Sequence, residues 1–284
     1  MRLLAIASGS IEGFMKSEAD LRAKMMLTPK ADMCESDDDE EEDQSDLLNI
    51  YDNVAVIDIN GGLTATDSWI NKYYGLVSYG EIREAIIQAV QANVGCIFFN
   101  VNSPGGDVNG MSDVASLISS LPMPTIAFSS SQMASAAYFL GCQADNIYVD
   151  SFADVGSIGV VINVMDYTAM NKMNGVVAQR FRSGSLKGTG NPNFALSKEE
   201  QAYIQGKVDT YSGMFFQIVS DARGMDLPTM NKLEITTGRT FIGQQAAAAN
   251  LVDGMLTFDQ SMAKAYDLAT KYVDKQNVSG IQFR

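Results

Sequence analysis

Four serines stand in the stretch SSSQMASAAYFLGC, Ser129 to Cys142. Ser129, Ser130 and Ser131 close the apolar run PTIAFSSS. Ser135 sits among Ala134, Ala136 and Ala137, whose small side chains leave room for a substrate carbonyl or for close helix packing. A serine hydroxyl becomes a nucleophile only when a base takes its proton. The chain contains no histidine, so a Ser-His-Asp triad, a Cys-His pair and a His-ligated zinc hydrolase are all excluded. Lysine is then the candidate base, provided burial lowers its pKa from about 10.4. Lys198, Lys207, Lys264 and Lys271 lie in polar helical settings, where solvation keeps an amine protonated. Lys187 differs, because RSGSLKGTGNP is a Gly-rich loop following VVAQRF, which has the alternation of a strand. A third group is NSPGGDV. Pro104, Gly105 and Gly106, placed between a buried strand and a helix, expose backbone N–H groups of the kind that hold a developing oxyanion. The missing side chains also let a substrate backbone approach, although a tight strand-to-helix turn accounts for the same glycines.

The elements that must position these groups follow from periodicity. NVAVIDING is a short apolar strand, and GEIREAIIQAVQAN places Ile82, Ala85, Ile86, Ala89 and Val90 on one helical face. VGCIFFNV is a continuous apolar run of the kind buried in a parallel sheet, and it leads through NSPGGDV into the helical MSDVASLISSL. PTIAFSS, the small-residue helix, NIYVD and a strand in GSIGVVINV come next. This order predicts stacked ββα units in an α/β domain. Ser197 and Glu200 form a capping box that opens a long helix reaching Arg223-Gly224, with Ala202, Val208, Phe215, Ile218 and Val219 as its apolar positions. GRTFIGQQAAAANLVDGM gives a turn, a short Ala-rich helix and a closing strand.

The 284 residues divide into an N-terminal appendage, 1–46, a main domain, 47–265, and a C-terminal tail, 266–284. Net charge is −14, but nine of the negative charges fall in ESDDDEEEDQSD, Glu35 to Asp46, which leaves −5 for the rest. A block of like charge repels itself and is expected to stay flexible. The balance offers no clustered basic surface for nucleic acid. Cys34, Cys96 and Cys142 are odd in number and far apart, which suggests neither a disulfide framework nor a metal site and favours a reducing, cytoplasmic compartment. MRLLAIASGS has a five-residue apolar run, shorter than a signal-peptide core, and no window approaches the roughly 18 apolar residues of a membrane span.

NSPGGDV, MASAAYFLGCQADNIYVD, VGSIGVVI, RSGSLKGTGNP and GRTFIGQQAAAANLVDG, in this order between Val54 and Asp253, resemble the signal peptide peptidase A family of serine peptidases, and within it the phage head maturation proteases. The resemblance implies a crotonase-like fold related to the Clp proteases, a Ser-Lys dyad, acyl-enzyme chemistry and no cofactor or metal. It carries the nucleophile onto Ser135, the general base onto Lys187 and a lysine-orienting hydroxyl onto Ser157. Gly105, Gly106 and Ala136 fall at the oxyanion and substrate backbone. It further implies a homo-oligomer, in which the lysine can come from a neighbouring subunit, and a protein or peptide substrate such as a capsid or scaffold protein. The N-terminal acidic segment becomes a tether open to self-trimming. Ala136-Ala137 replaces the Gly-Gly of many members, which narrows the space after the nucleophile. A cytosolic signal-peptide or quality-control peptidase of the same family, a crotonase-fold acyl-CoA enzyme and a non-catalytic assembly protein are the competing expectations.

Overall fold

Most of the apolar runs in the sequence become strands of one central sheet in the computed structural model, which describes residues 4–6 and 45–281. In chain order the strands are β1 (Leu4–Ile6), β2 (Leu48–Tyr51), β3 (Val54–Asn60), β4 (Gly62–Thr64), β5 (Leu76–Ser78), β6 (Cys96–Asn102), β7 (Gly105–Asp107), β8 (Thr125–Ser129), β9 (Gln132–Ala134), β10 (Asn146–Val149), β11 (Asp154–Gly156), β12 (Thr240–Ile242) and β13 (Gly254–Met255). The helices are α1 (Tyr79–Gln91), α2 (Met111–Ser119), α3 (Ala136–Gly141), α4 (Thr168–Met173), α5 (Lys198–Arg223), α6 (Leu227–Lys232), α7 (Gly243–Ala248) and α8 (Phe258–Ile281).

The central sheet has the order β13-β10-β8-β6-β3-β2 and is parallel except where β2 joins β3. Side chains alternate between its faces, and both faces are covered, which is why Val54–Ile57 and Cys96–Phe99 are apolar at every step rather than alternating with polar residues. Ile97 and Phe99 of β6 join Ile57, Ala127 and Tyr138 in the main core. Cys96 and Phe98 point the other way, with Val56 and Phe128, and meet Met262, Ala265 and Ala269 of α8. The domain boundary expected at 265 falls inside this helix.

Three of the long strands run on, within three residues, into a short strand of a second layer and then a helix. β3 passes through Gly61 into β4, and β5 then leads to α1. β6 passes through Ser103-Pro104 into β7 and then α2. β8 passes through Ser130-Ser131 into β9 and then α3. The second layer consists of the sheet β1-β7-β4-β5 and the sheet β12-β11-β9, linked where Ser103 bridges Met133. The chain is therefore a mixed α/β protein of stacked ββα units, as the order of its motifs predicts. Of the expected flexible appendage, residues 1–3 and 7–44, with Cys34 and all but Asp46 of the acidic residues, lie outside the described residues.

Local signals place the helices. Ser78 and Glu81 cap α1 reciprocally, and Ile82, Ala85, Ile86 and Ala89 are buried as expected, whereas Val90 is exposed in the last turn. Ser197 and Glu200 make the same capping box for α5, and Gly224 ends it in the left-handed conformation that a β-carbon would resist. Ala202, expected on the packed face, is exposed. Ile204 is buried outside the main core, and the helix joins that core through Phe215 and Val219 in its C-terminal half, with the Phe215 ring edge-on to Phe139 at 5.0 Å.

Two expected strands do not form. In GSIGVVINV the strand stops at Gly156, and VVAQRF has no regular structure. Between Ile158 and Glu200 no residue is buried, so this stretch is an arm on the domain rather than a layer of it, and among the described residues no named strand runs beside VVAQRF.

Candidate active site

Ser135 is the single residue between β9 and α3, and strand gives way to helix so abruptly that it adopts φ 55° and ψ −121°. A side chain in that region costs about 1–3 kcal/mol and persists only where the surroundings impose it. The surroundings do so here. The Ser135 N–H donates to the Gly156 carbonyl at 2.7 Å, and its carbonyl accepts from Phe139 N–H at 2.9 Å. The Oγ is buried and has no hydrogen-bond partner among the described residues. A buried hydroxyl left unpartnered is costly in a purely structural serine, and a sharp strained strand-to-helix turn is how hydrolases present one for attack.

Ser157, the residue after Gly156, is also held at positive φ, 51°, and donates its N–H to the Arg239 carbonyl at 2.9 Å. Parallel pairing of β9 with β11 sets Ala134 opposite Gly156, so Ser135 and Ser157 leave neighbouring strands side by side. On the other side of β9, Ser103 donates its N–H to the Gln132 carbonyl at 2.8 Å and accepts from the Ala134 N–H at 3.1 Å. Its hydroxyl then accepts the Gly105 N–H at 3.1 Å, which fixes the start of β7. Further along β7, the Asp107 carboxylate accepts from Ala65 N–H at 2.9 Å, and the Tyr79 hydroxyl donates to the Asp107 carbonyl. Ala136 opens α3, where an amide has no acceptor four residues back.

Backbone pairing thus brings Ser135, Ala136, Ser157 and Gly105–Gly106 into one neighbourhood. Lys187 stands apart. It is exposed on the arm, its backbone N–H donates to the Gly184 carbonyl, and its Nζ makes no hydrogen bond or ion pair among the described residues. The arm is tied to the domain through Glu200, whose side chain is 1 % exposed and takes ion pairs from Arg182 at 2.8 Å and Arg180 at 3.4 Å. The Ser197 amide, the Arg182 guanidinium and the charge of Arg180 together hold the Glu200 carboxyl down at about 2, against the opposing effect of its desolvation.

The buried thiols are not nucleophiles. Desolvation pushes Cys96 and Cys142 up to about 12, which leaves almost no thiolate at neutral pH. Among the described residues no three His, Cys, Asp or Glu side chains gather to hold a metal, and no helix is long and apolar enough to cross a membrane.

Two features of the site escape a reading of the sequence. Ser103, which joins β9 to β7, has its only signal in its place directly before Pro104-Gly105. The strand Leu4–Ile6, antiparallel to β7, lies in an apolar run too short to mark any element.

A model described as peptidase family S49 matches residues 119–271. A putative signal peptide peptidase SppA of Enterococcus faecium is 31% identical over 160 residues, covering 55% of this chain and 46% of that protein. Capsid assembly protease C of Escherichia phage lambda is 29% identical over 224 residues, covering 78% of this chain and 50% of its own length. The chain spans about half the length of these curated relatives. Among solved structures, a ClpP1 variant from Listeria monocytogenes aligns with 72% of this chain and 92% of its own at 11% identity, with a TM-score of 0.47.

Proposed function

The chain belongs to peptidase family S49, and from that premise we propose that it is a serine endopeptidase working through Ser135 and Lys187. The observation that carries the reading is Ser135 itself, strained, buried and with an unpartnered Oγ at a strand-to-helix turn. Neutral Lys187 Nζ takes the hydroxyl proton as Oγ attacks the peptide carbonyl. The amides of Gly106 and Ala136 hold the oxyanion, because the Gly105 amide is already donated to Ser103. Lys187 returns the proton to the leaving amine, and water then releases the acyl group from Ser135. Ser157 is a positioning residue that orients the lysine.

Within one copy the two members of the dyad do not meet, so the base comes from a neighbouring subunit. Two observations support this. Ser135 Oγ lacks a partner among the described residues, and the arm that carries Lys187 exposes Phe181 at 92 %, Met173 at 87 % and Val177 at 84 %. A projecting segment so apolar is stable in water only when a second surface covers it. Assembly would also dehydrate Lys187, which is the condition for a neutral amine. The similarity to a phage capsid assembly protease over most of the chain favours capsid or scaffold proteins as substrates, processed in the host cytoplasm or a procapsid.

The test is intact-mass analysis after a serine-directed fluorophosphonate, on the wild type, Ser135→Ala and Lys187→Ala, with turnover followed on labelled casein. A single adduct is expected on the wild type only, and each variant should lose at least about 10³-fold in turnover. Mixing the two inactive variants should restore activity, since one contributes the serine and the other the lysine. Labelling at Ser129–Ser131, or labelling indifferent to Lys187, would overturn the dyad.

A further inference from the structure

We infer that β1 is a built-in occupant of the substrate groove, an intrasteric strand that a substrate must displace. The inference rests on the peptidase reading of Ser135 and concerns how that site is regulated.

β7 has two edges. One is taken by β4, with Gly106 opposite Leu63, and the other by β1 alone. The register puts Leu4 opposite Asp107, Ala5 opposite Gly106 and Ile6 opposite Gly105. The segment Leu4–Ile6 therefore lies along Gly105 and Gly106, the second of which offers its amide to the reacting carbonyl in the proposed mechanism. A peptide held for hydrolysis beside an oxyanion strand is itself extended and pairs with that strand's open edge, since this satisfies its backbone groups without demanding a particular side chain. β1 already makes that pairing.

Its direction fits as well. Running antiparallel, β1 heads from the Asp107 end of β7 to the Gly105 end. From there the chain of β7 leads back through Pro104 to Ser103, which pairs with β9 immediately before Ser135. A strand of this polarity presents its C-terminal side to the nucleophile. Ser135, Gly105 and Gly106 are all buried with β1 in place.

The test weakens the pairing from the β1 side. In an antiparallel ladder alternate residues turn their amides to the partner, so Ala5→Pro covers one phase and the double variant Leu4→Pro/Ile6→Pro the other. With labelled casein as substrate, at least one of the two should show an apparent KM lowered about threefold or more with kcat unchanged, because a competing occupant reduces apparent affinity by the fraction of sites it fills. A synthetic peptide of residues 1–10 should raise that KM again. Hydrogen exchange of the fragment spanning residues 103–111 needs no turnover: it should quicken in the same variant and slow on addition of the peptide. Loss of thermal stability with KM unchanged or raised would mean that β1 is an ordinary structural strand. Unaltered exchange in both variants would overturn the inference too. Turnover that survives Ser135→Ala would instead remove the peptidase reading beneath it.

Discussion

A methyl group added at Gly106 would lie 1.8 Å from the Leu63 carbonyl oxygen, a backbone atom that cannot swing aside. The glycine pair of NSPGGDV thus serves packing as well as chemistry, for it brings β7 hard against β4 where Tyr79 and Ala65 secure Asp107. Gly106→Ala should destabilise the protein by at least about 1–3 kcal/mol, read as a lowered thermal midpoint by circular dichroism, and abolish turnover together. Buried thiols give a second prediction at this scale. With Cys96 and Cys142 held at about 12, a Cys34→Ser protein should take up no iodoacetamide at pH 8 while folded, and two equivalents once unfolded in urea. Rapid alkylation of the folded form would show that one of these thiols is open to solvent. The sequence offered Ser135 as one of several serines, and its small neighbours were equally those of a packed helix. What singles it out physically, a positive φ and an Oγ without a partner, is a property of the β9–α3 turn that no local pattern reports.

Elements were legible where one face of a pattern meets one kind of environment. CIFF, apolar at four successive steps, reads as a strand covered on both sides, and the Ser197–Glu200 box marked the first turn of α5. VVAQRF alternates as a strand does, yet alternation needs a neighbouring edge to become a strand, and none of the described strands lies beside it. Leu4–Ile6 shows the reverse: three residues are below any periodicity, and an open edge of β7 makes them a strand. The acid behaviour of the arm belongs to this scale. Glu200 sits near 2 in the folded chain against about 4.3 when unfolded, so its contribution is complete above the higher value and fades as pH falls toward the lower. Thermal midpoints of the wild type and Glu200→Gln should differ most at pH 5–7 and converge by about pH 2. A gap that stays constant down to that pH would mean that ionised Glu200 does not anchor Arg180 and Arg182.

At the scale of the whole molecule, the domain and the arm differ in kind. The ββα stack buries its apolar residues within one chain, and α8 closes the second face of the central sheet over Phe98 and Phe128. The arm buries none of its own residues, and in the proposed mechanism it is covered by another copy. Activity per chain should therefore rise with protein concentration and fall on dilution, in parallel with the assembled fraction measured by analytical ultracentrifugation. A specific activity constant across the range where assemblies dissociate would place both members of the dyad in one chain.

If the dyad forms between chains as proposed, the arm also sets a clock. A newly made chain can fold its stack without waiting for a neighbour, while Lys187 stays exposed on the arm, away from Ser135. The delay before the first bond is cut is then the time two folded chains need to find one another, long when copies are few and short when many accumulate together.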